Sequence, residues 1–361
     1  MPSHRQGPLR IAQVAPLHES VPPRLYGGTE RVIASLIDQL VAAGHDITLF
    51  ASGDSTTSAR LVPACRAALR LSHCADPIAP HLAMVEQVAR RAAEFDLVHF
   101  HIDYLHFPVT QREGYPNLTT VHGRLDMPDV LPMFMRFREL PMVSISEAQR
   151  APLPELAWQA TVPHGFPPEL YRFEPHPGEY LAFVGRIAPE KRLDRAIEVG
   201  RRSGHRVRVA AKIDRVDRGY YTRQIAPLLG QPHVEFLGEL AEHDKLALLA
   251  GALALVVTGD APEPFGLGMV EALACGTPVI AFDAGAVREI IDDGVTGFIC
   301  HDLDQAVAAV ARVRELSRVS CRRAFEQRFT AERMARDYAA LYRQLTRSVE
   351  YGHNGAVSRA G

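Results

Sequence analysis

Residues Glu263–Ala281 read EPFGLGMVEALACGTPVIA. Just before them lies LALVVTG (Leu253–Gly259), an apolar run of strand length. Their own end, Pro278–Ala281, opens a second such run, PVIAFD. Between the two runs stands a short helical pattern that starts near Gly266 or Leu267 and is closed by Gly276. Strand, helix and strand in so few residues make a βαβ unit, which requires a parallel sheet.

The same stretch carries chemistry. Glu263 falls in the loop before the helix and Glu271 about one turn into it. Both are expected at the carboxyl end of the preceding strand, facing one cavity, where open α/β sheets bind ligands. A carboxylate accepts two O–H donors at once, which suits the hydroxyl pairs of sugars. A helix start favours anions. Together these features describe a polyhydroxylated ligand carrying phosphate. Electrostatic capping of the helix is the plainer reading; it accounts well for Glu263 and poorly for Glu271.

Outward from this unit the alternation continues. Strand-like runs before it are LRIAQVAP, DITLFAS, DLVHFH, LTTVHG and MVSIS, then YLAFVG, RVRVAAK and HVEFLGEL. Prolines at 163, 167, 168, 175 and 177 mark a stiff connector. The expected layout is two Rossmann-like domains, an N-terminal one at 1–165 and a C-terminal one at 166–330 that holds the phosphate-bearing, polyhydroxylated ligand. The apolar stripe of Met334, Tyr338, Leu341 and Leu345 belongs to a last helix near 331–350, expected to pack back on the first domain.

The 361 residues suit two such domains, and a formal net charge of −2 speaks against a nucleic-acid binder driven by bulk charge. No apolar run reaches the roughly 18 residues of a membrane span. The opening MPSHRQGPLRIAQVAPL reads as a leader into the first strand. Five scattered cysteines without a CxxC suit reduced thiols in the cytoplasm.

Two further segments suggest anion sites. In GRIAPEKRLDRAIEVGRRSG (Gly185–Gly204) a strand runs into Gly185 and Arg186, with Pro189 at an expected helix start. Lys191 and Arg192 then fall in the first turn, where cations oppose the helix dipole at a cost of roughly 0.3–1 kcal/mol each. An anion held by Arg186 and Lys191 would account for that cost. A solvated basic patch neutralised by Glu190 and Asp194 accounts for it equally well. In LYGGTER, Gly27 and Gly28 let a phosphate approach the backbone or simply form a turn. Neither a GxxxxGK[ST] loop nor a GxGxxG fingerprint occurs here.

Residues 263–299 resemble the Glu-x7-Glu segment of retaining glycosyltransferases with the two-domain GT-B fold, glycosyltransferase family 4. FVGRIAPEKRLDRAIE resembles that family's diphosphate-binding segment, and YGGTERVIASLIDQLVAAGHDITLFA its glycine loop and first helix. The resemblance spans roughly residues 9–345. It implies that Arg186 and Lys191 stabilise the leaving diphosphate, with the backbone of Gly27, Gly28 and Gly185 beside it. Glu271 would bind ribose hydroxyls. Glu263, assisted by backbone N–H groups from Gly266 through Leu267 and Gly268 to Met269, would bind the transferred sugar, and His122 would stand near its anomeric carbon. The donor is expected to be a nucleoside-diphosphate sugar, uridine being the family-weighted base, with no metal cofactor.

The implied activity is transfer of a hexose-type sugar, with retention by front-face attack, to an acceptor hydroxyl in the inter-domain cleft. The chain departs from the family pattern at His164, where Asn is common, and at Asp283, Ala284 and Arg288 in a loop that borders the donor. Donor preference, acceptor and oligomeric state are not legible. A phosphorylase-like enzyme acting on sugar phosphate or glycan and a non-catalytic sugar-nucleotide-binding partner are the rival readings.

Other signals are assigned to structure. His99, His101, Asp103 and His106 suggest a metal, but strand-end histidines are more often packing or substrate contacts. Asp302–Asp304 reads as a helix cap and not a metal-binding DxD. LPMFMRFREL (Leu131–Leu140) could meet a membrane surface, yet core packing of Met133, Phe134 and Met135 is favoured.

Overall fold

The computed structural model describes residues 7–357, and side chains up to residue 347; the leader at residues 1–6 lies outside this range. The chain forms two compact units. One holds the chain through Ile145, then Arg150–Gly165 and the helix Ala331–Val357. The other holds Ser146–Gln149 and Phe166–Thr330.

The first unit is built on seven parallel strands: β1 (Arg10–Val14), β2 (Asp46–Ser52), β3 (Arg60–Cys65), β4 (Leu97–Phe100), β5 (Asn117–Thr120), β6 (Met142–Ser144) and β7 (Trp158–Thr161). Their order is β3-β2-β1-β4-β5-β6-β7. The second unit has six: β8 (Tyr180–Arg186), β9 (Arg206–Lys212), β10 (Val234–Gly238), β11 (Ala254–Val257), β12 (Val279–Phe282) and β13 (Gly297–Cys300), in the order β10-β9-β8-β11-β12-β13. Strand order reverses between β1 and β4 in one sheet and between β8 and β11 in the other. Such reversals open a crevice at the strands' carboxyl ends.

Both sheets are covered on two faces, so their central strands are nearly continuous apolar runs. Ile11, Phe50, Val98 and Phe100 are buried in the first unit, and Leu181, Phe183, Val207, Val256 and Ile280 in the second. Each such side chain contributes roughly 1.5–3 kcal/mol on burial. The strands missing from the sequence reading, β3, β7 and β13, are all at sheet edges. β3 carries Pro63, a residue that only an edge or irregular strand tolerates, and β7 is only half-buried.

Several helices lie as their sequence signals require. Gly28–Ala42 follows β1 and turns its apolar face inward. Glu242–Ala250 precedes β11, and Leu267–Ala274 stands between β11 and β12. The Asp302 carboxylate accepts the Gln305 N–H at 2.8 Å and so caps the helix Leu303–Arg312. Phe134 is buried on the short helix Leu131–Arg136, and Met133 and Met135 pack against the same core. One expectation fails. Pro189 does not start the α-helix: Pro189–Lys191 is a single 3-10 turn, Arg192 takes a left-handed φ of 50°, and the α-helix runs Leu193–Ser203. Lys191 and Arg192 therefore precede the helix and do not sit in its first turn.

Candidate active site

The turn between β8 and Leu193 delivers Arg186 and Lys191 to the switch point of the second sheet. Arg186 ends β8, paired with Lys212 of β9. Lys191 is held from across the crevice, where the buried Thr258 hydroxyl, just past β11, donates to the Arg192 carbonyl at 2.8 Å. Gly259 completes the fit, since a Cβ there would stand 2.8 Å from the Glu190 carbonyl oxygen. The left-handed Arg192 costs about 1–3 kcal/mol of backbone strain. Its guanidinium offsets this by bonding Asp194 at 2.8 Å and Asp260 at 2.9 Å across the same turn. The strain is the cost of ending the turn in time to leave Lys191 outside the helix.

Each cation is already engaged. The Lys191 ammonium donates to the Glu263 carboxylate. Arg186 donates to Glu190 and, at 3.0 Å, to Asp217, with Asp214 at 3.8 Å. Burial raises the Asp217 carboxyl above its usual range, and Arg186 works against that rise. The neutralising role of Glu190 is thus real, whereas Asp194 serves Arg192. Lys191 and Glu263 remain 32% and 23% exposed, so solvent screens their pair and it is worth at most about 1 kcal/mol. An incoming anion can therefore compete for Lys191 at small cost.

Glu263 is fixed through its backbone. The Ala286 N–H donates to its carbonyl at 2.9 Å, and Gly285, at φ 61°, lies so close that a Cβ would fall 2.3 Å from the Glu263 nitrogen. The loop that departs from the family pattern is thus the one that seats Glu263. Within it Arg288 pairs with Asp283 at 2.6 Å. Gly266 caps the helix Leu267–Ala274 at φ 102°, a conformation that favours glycine. Behind it follow Leu267, Gly268 and Met269; the Met269 N–H donates to the Gly266 carbonyl at 3.0 Å, which leaves the N–H groups of Leu267 and Gly268 as those the helix itself does not satisfy.

Glu271 is only 4% exposed and accepts from Lys245 at 2.6 Å. The two carboxylates of the Glu-x7-Glu segment thus engage different cations. Lys245, on the neighbouring helix Glu242–Ala250, was not picked out from the sequence. Its spacing of 26 residues from Glu271 carries no local signal.

In the first unit, β1 leads to Gly27 and Gly28. Gly27 is required by close approach, because a Cβ would lie 2.6 Å from Pro23. Past the end of β5 stands His122. Its Nε2 meets His101 Nδ1 at 2.9 Å, its ring stacks on His164 at 5.1 Å, and its backbone N–H donates to Asp103 at 3.2 Å. Burial pushes His122 down to about 3 and holds His99, His101, His106 and His164 well below the ordinary imidazole value. Burial likewise raises Asp103 to about 6. The three histidines of VHFHIDYLHF are spent on hydrogen bonds: His99 to Thr120 at 2.7 Å, His101 to Gln13 at 2.8 Å and His106 to Thr119 at 2.9 Å. Among the described residues no group of three or more His, Cys, Asp or Glu could hold a metal ion.

Two Rossmann-like parallel sheets in one chain, the second carrying cations and carboxylates at its switch point, define a GT-B-fold protein. Comparison with known proteins agrees. Residues 26–160 match the family model "Glycosyltransferase Family 4" and residues 172–329 match "Glycosyl transferases group 1". The chain belongs to the glycosyltransferases of family 4. It is 30% identical over 207 residues to D-inositol 3-phosphate glycosyltransferase of Geodermatophilus obscurus, covering 50% of this chain and 44% of that protein. The chain thus spans less than half the length of this curated relative.

Among solved structures, AviGT4, a glycosyltransferase involved in avilamycin A biosynthesis, superposes with a TM-score of 0.70 at 24% identity, covering 94% of this chain and 98% of that one. Anabaena HepE, solved in complex with UDP and glucose, gives 0.68 at 18% identity, covering 92% and 98%. These two likenesses speak to the fold. Among the described residues no helix is long and apolar enough to cross a membrane.

Proposed function

We propose that this chain is a retaining glycosyltransferase that moves a hexose-type sugar from a UDP-linked donor to an acceptor hydroxyl without a metal. The observation that carries the reading is the β8–Leu193 turn, which presents Lys191 against Glu263, with Arg186 at the end of β8, at the switch point of the second sheet. Such a site offers positive charge to a diphosphate and a carboxylate to sugar hydroxyls. HepE, of like fold, was solved with UDP and glucose, which supports the choice of uridine.

In the proposed reaction the bond between the anomeric carbon and the β-phosphate oxygen breaks. The acceptor oxygen bonds to the anomeric carbon from the same face, and its proton passes to the departing phosphate. Negative charge grows on that phosphate, so preorganised cations matter more in the transition state than in the ground state. Lys191 is released from Glu263 toward the phosphate, which frees the Glu263 carboxylate for hydroxyls of the sugar. Glu271, oriented by Lys245, takes the ribose hydroxyls. His122 stands at the sugar end.

The deciding experiment is thermal shift of the purified chain against UDP, GDP and ADP, with and without magnesium, followed by turnover of the stabilising nucleotide's sugars. Stabilisation by UDP without metal, lost in Lys191→Ala, and an α-configured product from an α-configured donor are expected. Stabilisation by phosphate or free glycan alone would replace this reading with a phosphorylase.

A further inference from the structure

Beneath His122 runs an unbroken path of buried hydrogen bonds. His122 Nε2 meets His101 Nδ1 at 2.9 Å, and His101 Nε2 meets the Gln13 carbonyl oxygen at 2.8 Å. The Gln13 amide nitrogen donates to the Tyr342 hydroxyl at 3.0 Å, which lies 2.7 Å from His99 Nδ1. His99 Nε2 then meets Thr120, which meets the Tyr338 hydroxyl at 2.8 Å. Sheet register makes the path: Gln13 pairs with His99 and His99 with Leu118, so Gln13, His99 and Thr120 share one face. Tyr338 and Tyr342, one turn apart, reach that face from the helix Ala331–Val357.

On the His122 side of this path the Gln13 amide fixes each proton. Because Gln13 turns its nitrogen to Tyr342, its oxygen accepts, and His101 must carry its proton on Nε2. A neutral His101 then accepts at Nδ1, so His122 must donate from Nε2. Turning the Gln13 amide over would reverse each bond and place the His122 proton on Nδ1. His122 itself decides between the two, since its Nδ1 is buried without a hydrogen-bond partner. A buried lone pair without a donor is tolerated more readily than a buried N–H without an acceptor. The orientation that leaves Nδ1 bare is therefore the lower in energy.

We infer that Gln13, His101 and Tyr342 are positioning residues that hold His122 as a neutral imidazole protonated at Nε2 and bare at Nδ1. The functional consequence rests on the proposed reading that places His122 at the sugar end. There the anomeric carbon gains positive charge as the phosphate leaves, and an imidazolium beside it would oppose that charge. The other groups facing the ring are His164, stacked on it, with Arg333 behind, and Asp103, which bonds its backbone. None of these bonds the ring nitrogens. The C-terminal helix thus reaches the site through Tyr342, far from it in sequence.

The test is long-range 15N NMR of the histidine-labelled full chain, with His122 assigned by His122→Gln. Expected is a protonated Nε2 and a bare Nδ1 for His122, unchanged between about pH 5.5 and 8. Tyr342→Phe, which leaves the Gln13 amide nitrogen without its acceptor, is expected to mix the two tautomers. It should lower kcat about fivefold, the loss of one hydrogen bond, at unchanged donor KM. Gln13→Met should do the same, and serves if the tyrosine variant is unstable. A protonated Nδ1, or titration of His122 within that range, overturns the inference, as do variants that leave tautomer and kcat untouched. The spectra require no turnover, so a chain that fails to transfer sugar would sink the proposed function and leave this test standing.

Discussion

The two units hold their candidate site residues by opposite means. The second places Arg186, Lys191 and Glu263 in partly exposed ion pairs, each cation already matched to a carboxylate. The first places His122 over a buried, uncharged chain of hydrogen bonds that ends on the last helix. Exposed pairs are weak and exchangeable, which suits the proposed exchange of these partners for a diphosphate. Buried neutral networks are rigid and intolerant of added charge, which suits a group that must not change. One unit should respond to salt and anions, the other to acid.

The largest expected effect breaks the charged side of this contrast. On the proposed reading Lys191→Ala removes a cation that stabilises the leaving phosphate, and kcat should fall by about 10²–10³, or roughly 2.7–4 kcal/mol of barrier. Single-turnover rates with UDP-hexose measure it. A loss confined to KM would show that Lys191 only binds.

Acid probes the neutral side. The unfolded chain protonates these histidines near pH 6.5, whereas the folded chain resists until far lower, His122 to about 3. Stability is therefore complete above pH 6.5 and is lost as pH falls below it, by up to about 1.4 kcal/mol per ring for each unit of pH. Asp103, raised to about 6, acts in the other direction: its contribution is present below about pH 4 and lost as pH rises through 6. Several rings outweigh one carboxyl. Hydrogen exchange at pH 5 against pH 7.5 should show peptides of β1, β4 and β5 loosening before those of β8 and β11. The reverse order would remove the contrast.

Smaller effects sharpen it. Glu271→Gln leaves Lys245 with Glu242, at 3.0 Å, and should raise the donor KM about tenfold, with kcat nearly unchanged, as for one lost charge-assisted bond. Asp217→Asn frees Arg186 from a competitor and should tighten UDP binding about two- to fivefold, a change of less than 1 kcal/mol. Weaker binding measured by calorimetry would mean that Asp217 orients Arg186 and does not compete for it.

Much of the second unit was legible beforehand. Gly266, Glu263 and Glu271 stand on a local pattern, and a helix start, its cap and its charges all fall within one short stretch. The β8 turn departs from its sequence signal: Pro189 is a good helix opener, and only the left-handed Arg192, pinned by Asp194, Asp260 and Thr258, delays the helix. His122 could be proposed, but its support could not. Tyr342 fell outside the apolar stripe drawn through Tyr338 and Leu341, although it is fully buried. A tyrosine pair at helical spacing was the available signal.

By itself the sequence determined two parallel α/β units, because runs of Val, Ile and Leu of strand length can be buried only between helices. It also determined which charged residues stand at strand ends, because strand, loop and helix succeed one another locally. The tertiary structure alone decided the partners. Lys191 and Glu263 are 72 residues apart, and Gln13 and Tyr342 are 329 apart. Such pairs form only where strand order and register bring distant segments together, and side-chain type does not encode that distance.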